Sequence, residues 1–62
     1  MENKLALNIK ETAEVLSMSR QSVYKLIQHD NTFPVFHIGK SVRISADGLK
    51  EWVKKQTEEN AS

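Results

Sequence analysis

The sequence contains no cysteine, a single proline and two glycines among its 62 residues. Without a thiol, the chain cannot form a disulfide, a cysteine nucleophile or a cysteine-based zinc site. No apolar run approaches the length of a membrane span, which is about 20 residues. The start of the chain, residues 1–7, also lacks an apolar stretch long enough for a signal peptide. We therefore expect a cytoplasmic protein with no membrane partner.

The inventory of reactive side chains is equally small. His29 and His37 fall on a predicted turn and on an outward strand face, with no ligand spacing between them. Tyr24 as a recombinase nucleophile would need a supporting set of arginine and histidine residues that does not fit in 62 residues. We predict that the chain is not an enzyme and that it uses no metal, cofactor or small-molecule ligand.

The composition is that of a folded domain, with 39% hydrophobic and 27% charged residues. The length allows one small domain, which we assign to residues 1–62. A chain this short buries only about 60% of its unfolded surface, so the fold is expected to be marginal. Residues 1–7 and 58–62 carry no clear structural pattern, and we expect both segments to be flexible.

The first predicted helix begins after Asn8. Asparagine is a favoured N-cap residue, and Glu11 stands three positions later, which is the spacing of a capping box. Helical spacing places the apolar residues of this segment on one stripe, which ends at Ser17. The stripe consists of Ile9, Ala13, Val15 and Leu16.

Ser19 is the predicted N-cap of a second helix, from Arg20 to about His29. Its apolar side carries Val23, Leu26 and Ile27. The opposite side carries almost no acid; its members are Gln21, Lys25 and Gln28, with Tyr24 at the flank. A turn follows over residues 29–32, and Pro34 prevents the helix from continuing.

Residues 35–44 predict a β-hairpin. Strand alternation brings four apolar residues to one face only if the loop has three residues, Gly39, Lys40 and Ser41. A two-residue loop would place Arg43 on that face, so we predict the longer loop, with His37 and Arg43 both pointing outward and Lys40 at the tip. The four residues expected in the core are Phe36, Ile38, Val42 and Ile44.

A third helix is predicted after Ser45, another N-cap candidate, with Asp47 in its favourable first turn. Its apolar stripe is Leu49, Trp52 and Val53, and we place Trp52 in the core rather than on a partner-binding surface. The predicted fold class is mainly α with a small β-hairpin, in the order α-α-β-β-α.

The first two helices fit a helix-turn-helix corner. In that motif a small residue lies where the helices cross, and Ala13 occupies this position. The turn follows four residues later at Ser17, where a glycine is usual because the turn favours positive φ. Val23 and Leu26 then provide the packing of the second helix. With the hairpin as a wing, the pattern predicts a winged helix-turn-helix.

Such a fold binds double-stranded DNA with its second helix in the major groove. Arg20 and Gln21 suit guanine and adenine edges, while neighbouring polar residues suit phosphates. The alternative is a helical hairpin with an ordinary solvated face. The candidate contacts on the helix are Ser19, Arg20, Gln21, Ser22, Tyr24, Lys25 and Gln28. Those on the wing are His37, Lys40, Ser41 and Arg43.

The net charge of +1 conceals an uneven distribution. Residues 1–17 and residues 44–62 each carry a charge of −1. Residues 18–43, the proposed recognition helix and wing, carry four basic residues and one acid, a charge of +3. Local charge rather than the total is the electrostatic footprint of a DNA-binding protein.

Three blocks of the sequence together resemble the excisionase family of DNA-binding domains, which is a compact relative of the MerR-type winged helix-turn-helix. The blocks are Glu-x-Ala-x-x-Leu at 11–16, Ser-Arg-x-Ser-Val-Tyr at 19–24, and Ile-Gly-x-x-x-Arg-Ile at 38–44 before a helix with Leu-x-x-Trp at 49–52. The likeness covers residues 7–53. Serine at 17 in place of glycine and the small Ser41 in the wing depart from the family pattern.

The resemblance implies an accessory factor, a recombination directionality factor that binds and bends DNA so that a tyrosine recombinase, the integrase, can excise a mobile element such as a prophage. By the same resemblance, Arg20 and Tyr24 match DNA-contacting helix positions, Arg43 matches the wing arginine, and Trp52 matches a core position. The source would be a bacterium or phage, with the protein on the nucleoid.

Two alternatives stay open at the level of the sequence. Other members of the family act as transcriptional regulators, here of a phage or mobile-element operon. A protein-interaction module or anti-repressor that has lost DNA binding is the alternative of another class. Because Thr57 to Ser62 leaves no room for the long dimerisation helix of a MerR-type regulator, we expect head-to-tail self-association on DNA rather than an obligate dimer.

Overall fold

The computed structural model describes residues 4–60 and contains three helices and three short strands in that range. The N-terminal half consists of β1 (Ala6–Leu7), α1 (Ile9–Leu16) and α2 (Arg20–His29). The C-terminal half consists of β2 (Val35–Ile38), β3 (Ser41–Ser45) and α3 (Ala46–Asn60). The predicted order α-α-β-β-α is confirmed, with one additional strand before it.

The start of α1 is fixed by the predicted capping box. The side chain of Asn8 accepts a hydrogen bond from the Glu11 backbone N–H at 2.7 Å, and the Glu11 carboxylate accepts one from the Asn8 N–H at 3.0 Å. Thr12 is fully buried, and its hydroxyl donates to the Asn8 carbonyl at 2.8 Å. The cap therefore satisfies two backbone donors, those of Asn8 and Glu11, that the helix leaves without intrahelical partners.

The strands form one antiparallel sheet in the order β1-β3-β2. The short strand β1 was not predicted; it pairs Ala6 with Ser45 and Leu7 with Ile44, which makes β3 the central strand. Secondary structure thus extends into residues 1–7 and, through α3, into residues 58–62. Residues 1–3 and 61–62 lie outside the described range, and the flexibility of both ends stays a prediction.

The predicted hairpin loop is wrong by one residue. Ile38 pairs with Ser41 and His37 with Val42, so the loop contains only Gly39 and Lys40. Gly39 has φ +61° while Lys40 does not have positive φ, as expected for a type II′ turn with glycine in its first central position. This turn follows the natural twist of the strands, which accounts for the tighter loop.

The shorter loop changes which side chains share a face. Phe36 lies opposite Arg43, so these two residues are on the same side of the sheet, while His37 lies opposite Val42 on the other side. The expectation that His37 and Arg43 point outward together is therefore wrong. Phe36 and Ile38 are also not core residues, because they remain 38% and 60% exposed.

The core is small and draws on every helix. Its buried residues are Ala13, Val23, Phe33, Ile44 and Leu49. Partly buried side chains surround them, namely Leu7, Ile9, Leu16, Met18, Leu26, Ile27, Val35 and Trp52. The hairpin supplies Val35 and Ile44 to this cluster. Val15 and Val53, which were predicted on apolar stripes, are 64% and 38% exposed.

The helix α3 begins as predicted and continues further than predicted. The Ser45 hydroxyl oxygen accepts a hydrogen bond from the Gly48 N–H at 3.0 Å, which is the contact of an N-cap serine. The helix then runs to Asn60, so residues 58–60 are helical. None of the helices in residues 4–60 combines the length and apolar character required to span a bilayer.

Candidate nucleic-acid interface

The corner between α1 and α2 is closed by a left-handed residue. Ser17 has φ 57° and ψ 47°, the conformation for which glycine is usual. The Ser17 N–H donates to the Glu14 carbonyl at 3.2 Å and the Met18 N–H to the Ala13 carbonyl at 2.9 Å, which together form a Schellman motif. The serine therefore builds the turn that a glycine forms in related motifs.

Ala13, which was predicted to lie where the two helices cross, belongs to the same buried core as Val23 of α2. Ala13 is 5% exposed, and Val23 on α2 is completely buried. The small alanine side chain allows the second helix to approach, while Val23 and the partly buried Leu26 hold it against the core. Because these residues occupy one side of α2, its other side is left to solvent.

The N-terminus of α2 is held by two serines. The Ser19 side-chain oxygen accepts a hydrogen bond from the Ser22 N–H at 3.1 Å, and the Ser19 hydroxyl donates to the Ser22 hydroxyl oxygen at 3.0 Å. The predicted N-cap is thus confirmed. The two hydroxyl groups are engaged with each other, and Ser19 and Arg20 at this terminus are exposed.

The exposed side of α2 carries the other predicted helix contacts. Tyr24 is 52% exposed. No acidic residue occurs between Arg20 and His29, and within residues 4–60 neither Arg20 nor Lys25 forms an ion pair. The side chains that share this solvent-exposed surface are Arg20, Gln21, Tyr24, Lys25 and Gln28.

The only acid of residues 18–43 is directed into the fold. One oxygen of Asp30 accepts hydrogen bonds from the N–H and the hydroxyl of Thr32, at 2.9 and 2.5 Å, and the other accepts one from Trp52 Nε1 at 3.2 Å. The Thr32 hydrogen bonds, with a smaller effect of Trp52, hold the pKa of Asp30 below its ordinary value. Its negative charge is thereby held at the far end of α2.

Sequence reasoning missed a basic residue beside the corner. Lys10 of α1 and Arg20 of α2 line the same shallow depression, about 530 Å³ in volume, together with Glu14 and residues 17–19. Both cations lie beside the exposed N-terminus of the second helix. The signal was available, because Lys10 lies three residues before Ala13 and therefore on the same side of α1.

The wing presents its predicted contacts unequally. His37, Lys40 and Ser41 are exposed, with Lys40 in the turn itself. Arg43 is only half-exposed, and its guanidinium donates to the Val42 carbonyl at 2.8 Å. The structure does not bring His37 and Arg43 to one surface, since they occupy opposite sides of the sheet.

Arg43 also has an acidic neighbour. Hydrogen bonds from Lys4 and from the Asn8 N–H, and the positive charge of Arg43, lower the pKa of Glu11. Lys4 and Glu11 form an ion pair on the surface. Glu11 therefore offsets part of the positive charge of Arg43, so Lys40 is the more available cation of the wing.

No group of three metal-ligating side chains comes together in the described part of the chain. The geometry instead assembles a helix-turn-helix corner, a solvent-exposed and acid-free second helix, and a basic hairpin. These elements define a winged helix-turn-helix domain.

Comparison with known proteins agrees with this architecture. The model of an excisionase-type family described as a helix-turn-helix domain matches residues 6–57. The chain belongs to this family, and it is accordingly a DNA-binding helix-turn-helix domain. Comparison with curated proteins and with solved structures gives no match.

Proposed function

We propose that the chain is a site-specific accessory factor of recombination, which binds and bends double-stranded DNA so that a tyrosine recombinase excises a mobile element. The observations that carry the proposal are the exposed face of α2, which is free of acids, and a hairpin without acidic residues, in a chain of the excisionase-type family. The chain itself cleaves no bond; the strand exchange belongs to the recombinase.

In this proposal α2 lies in the major groove. Arg20 and Gln21, in the first turn, read guanine and adenine edges, because their side chains make bidentate hydrogen bonds to those bases. The flanking side chains hold the register through phosphate contacts. These are Ser19, Ser22, Tyr24, Lys25 and Gln28, to which the structure adds Lys10 beside the corner.

The wing supplies the second set of contacts. Lys40 at the turn is the main cation, and His37 and Ser41 stand near it on the exposed end of the hairpin. Arg43 contributes a weaker contact, because its guanidinium already binds the Val42 carbonyl and lies near Glu11. Copies bound head-to-tail on repeated sites would add cooperativity.

The first experiment is a selection of bound duplexes from a randomised DNA pool, followed by fluorescence anisotropy on the recovered site. Arg20→Ala is expected to weaken binding by about 1–3 kcal/mol and to relax the preference at one base pair. Lys50→Ala, at an exposed cation of α3 that belongs neither to α2 nor to the wing, is the matched control and should bind as wild type. Failure of the pool to yield a preferred sequence would contradict site-specific binding.

The second experiment separates recombination from regulation. The chain is added to the tyrosine recombinase of its element and to DNA that carries the attachment sites, and excised product is scored. We expect excision with the wild type and a strong loss with Arg20→Ala. Promoter repression without stimulated excision would identify a transcriptional regulator, and a chain that binds a protein but no DNA would identify an interaction module.

A further inference from the structure

The outer face of the wing carries two apolar side chains that the core does not use. The register places Phe36 opposite Arg43 and Ile38 opposite Ser41, all on the side of the sheet away from Ile44. Ile38 is 60% exposed and immediately precedes the Gly39–Lys40 turn. The end of the basic hairpin therefore combines an exposed isoleucine with a neighbouring cation, Lys40.

We propose that Ile38 is an apolar wedge that enters the minor groove and partly unstacks one base step, which produces the DNA bend. The proposal rests on the DNA-binding function proposed above and names the residue that would cause the bend. Minor-groove proteins insert isoleucine, leucine or phenylalanine side chains in this way and kink the duplex by about 20–90°.

The shape of the hairpin end suits this role. A two-residue turn makes a narrow tip, and Ile38 is the last residue of β2 before that tip. The branched side chain of isoleucine has few rotamers in a strand, so little side-chain freedom is lost on insertion. Because Ile38 is mostly exposed, its insertion into DNA removes nothing from the core.

The charges around Ile38 suit the phosphates that flank a minor groove. Lys40 stands at the tip, and Arg43 shares the outer face two positions further along β3 from Ser41. No residue of β2 or β3 is acidic. Glu11, the carboxylate whose pKa the charge of Arg43 helps to lower, is already paired with Lys4. A flexible pyrimidine–purine step such as TA is the expected point of insertion, because it unstacks at low cost.

A second copy of the chain is a poorer occupant of this face. A stable protein interface covers about 800 Å² on each partner. The wing offers only Phe36 and Ile38 as apolar anchors, which are 38% and 60% exposed. The combination of a small apolar tip with flanking cations fits a nucleic acid better than a protein surface.

The test compares Ile38→Thr with Val15→Thr, using the duplex recovered by selection. Both changes replace an exposed β-branched apolar side chain with threonine, and Val15 is 64% exposed on α1. Energy transfer between dyes at the two duplex ends reports the bend at saturating protein. Emission of 2-aminopurine, placed in turn at each adenine next to a pyrimidine, reports unstacking. Circular dichroism melts confirm that both variants fold.

We expect Ile38→Thr to lose the rise in 2-aminopurine emission and most of the energy-transfer change, while its affinity stays within about tenfold of wild type because α2 still binds. Val15→Thr should match wild type in both signals. Ile38→Phe, a larger wedge, should retain them.

Three results would overturn the wedge. The first is an unchanged bend in a DNA-bound Ile38→Thr variant, and the second is a folded Ile38→Thr variant that binds no DNA at any concentration. The third is a loss of cooperativity between adjacent sites with an unchanged single-site bend, which would assign this face to a second copy. A wild-type chain that selects no DNA site would instead contradict the proposed function itself.

Discussion

The indole Nε1 of Trp52 donates a hydrogen bond to Oδ2 of Asp30 across 3.2 Å, and this contact joins α3 to the C-terminal end of α2. The Trp52 ring also meets Phe33 edge-on, with centroids 5.1 Å apart and the planes at 90°. Trp52 therefore holds α2, the turn after it and α3 together. Its place against the core agrees with the expectation drawn from its phase with Leu49.

The Asp30 contacts predict a loss of stability in acid. The Thr32 and Trp52 hydrogen bonds place the folded-state pKa of Asp30 below its ordinary 3.8, so the unfolded chain binds the proton more tightly. The stabilisation is complete above the ordinary pKa and is lost as the pH falls through the lower, folded-state pKa. Thermal melts from neutral pH to about pH 3 should show this loss, and Asp30→Asn should reduce it. An acid transition of the same size in Asp30→Asn would contradict the assignment.

The left-handed Ser17 predicts a stabilising substitution. Ser17→Gly removes the contact between Cβ and the carbonyl that a left-handed residue suffers, which is about 1 kcal/mol. The melting temperature should rise by about 4–8 °C per kcal/mol in a domain of this size. The matched reverse change is Gly39→Ala, at φ +61° with no atom within 4 Å of the new Cβ, which should destabilise through the backbone alone. A lower melting temperature for Ser17→Gly would contradict the turn geometry.

The surroundings of Gly48 predict that its replacement by alanine destabilises the protein. Glycine to alanine in a helix normally stabilises, by about 0.5–1 kcal/mol. A Cβ at Gly48 would lie 2.6 Å from Cβ of Pro34, in a rigid ring, and 3.1 Å from the Ser45 hydroxyl oxygen that caps the helix. We expect Gly48→Ala to destabilise by about 1–3 kcal/mol in denaturant titrations, as overpacking does. Lys54→Ala, at an exposed position of α3, is the control and should be nearly neutral.

The hairpin register predicts unequal costs for two isoleucines. Ile44 is completely buried, so Ile44→Val should cost about 0.5–1.5 kcal/mol. Ile38 is 60% exposed, so Ile38→Val should change the free energy of unfolding by no more than about 0.5 kcal/mol. Equal costs in chemical denaturation would favour the three-residue loop, in which both residues reach the core.

The proposed phosphate contacts predict a defined dependence on salt. Four cationic contacts, from Lys10, Lys25, Lys40 and Arg43, give a log–log slope of about −3.6 for DNA affinity against salt concentration. Lys25→Ala should make the slope shallower by about 0.9, because one fewer counterion is released. Lys50→Ala should leave it unchanged. Equal slopes for wild type and Lys25→Ala would remove Lys25 from the interface.

The helices were predictable because their signals are local. The capping contacts of Asn8, Ser19 and Ser45 each involve atoms three residues apart, so the sequence alone placed all three helix starts. The Ala13 crossing and the turn at Ser17 follow from spacing within one helix. The same reasoning could not show that Val15 and Val53 are exposed, because an apolar stripe at helical spacing is wider than the surface this small core covers.

The strand register of the wing could not be predicted from local signals. Strand alternation allows two registers, and the choice between them assumed that all four apolar hairpin residues are buried. The structure buries Ile44 and brings Val35 toward the core instead, because β1 pairs with β3 and Leu7, opposite Ile44, fills the inner face. A partner strand of two residues leaves no pattern of its own in the sequence.

Features that local contacts determine could therefore be predicted from the sequence, whereas features that long-range contacts determine could not. The helix positions and caps depend on short segments of the sequence, since the interactions that form them span at most five residues. The charge of residues 18–43 is likewise a property of one segment. The loop length, the separation of His37 from Arg43 and the exposure of Ile38 were decided by tertiary structure. Each depends on which side chains, distant in the chain, fill the limited volume beneath the sheet.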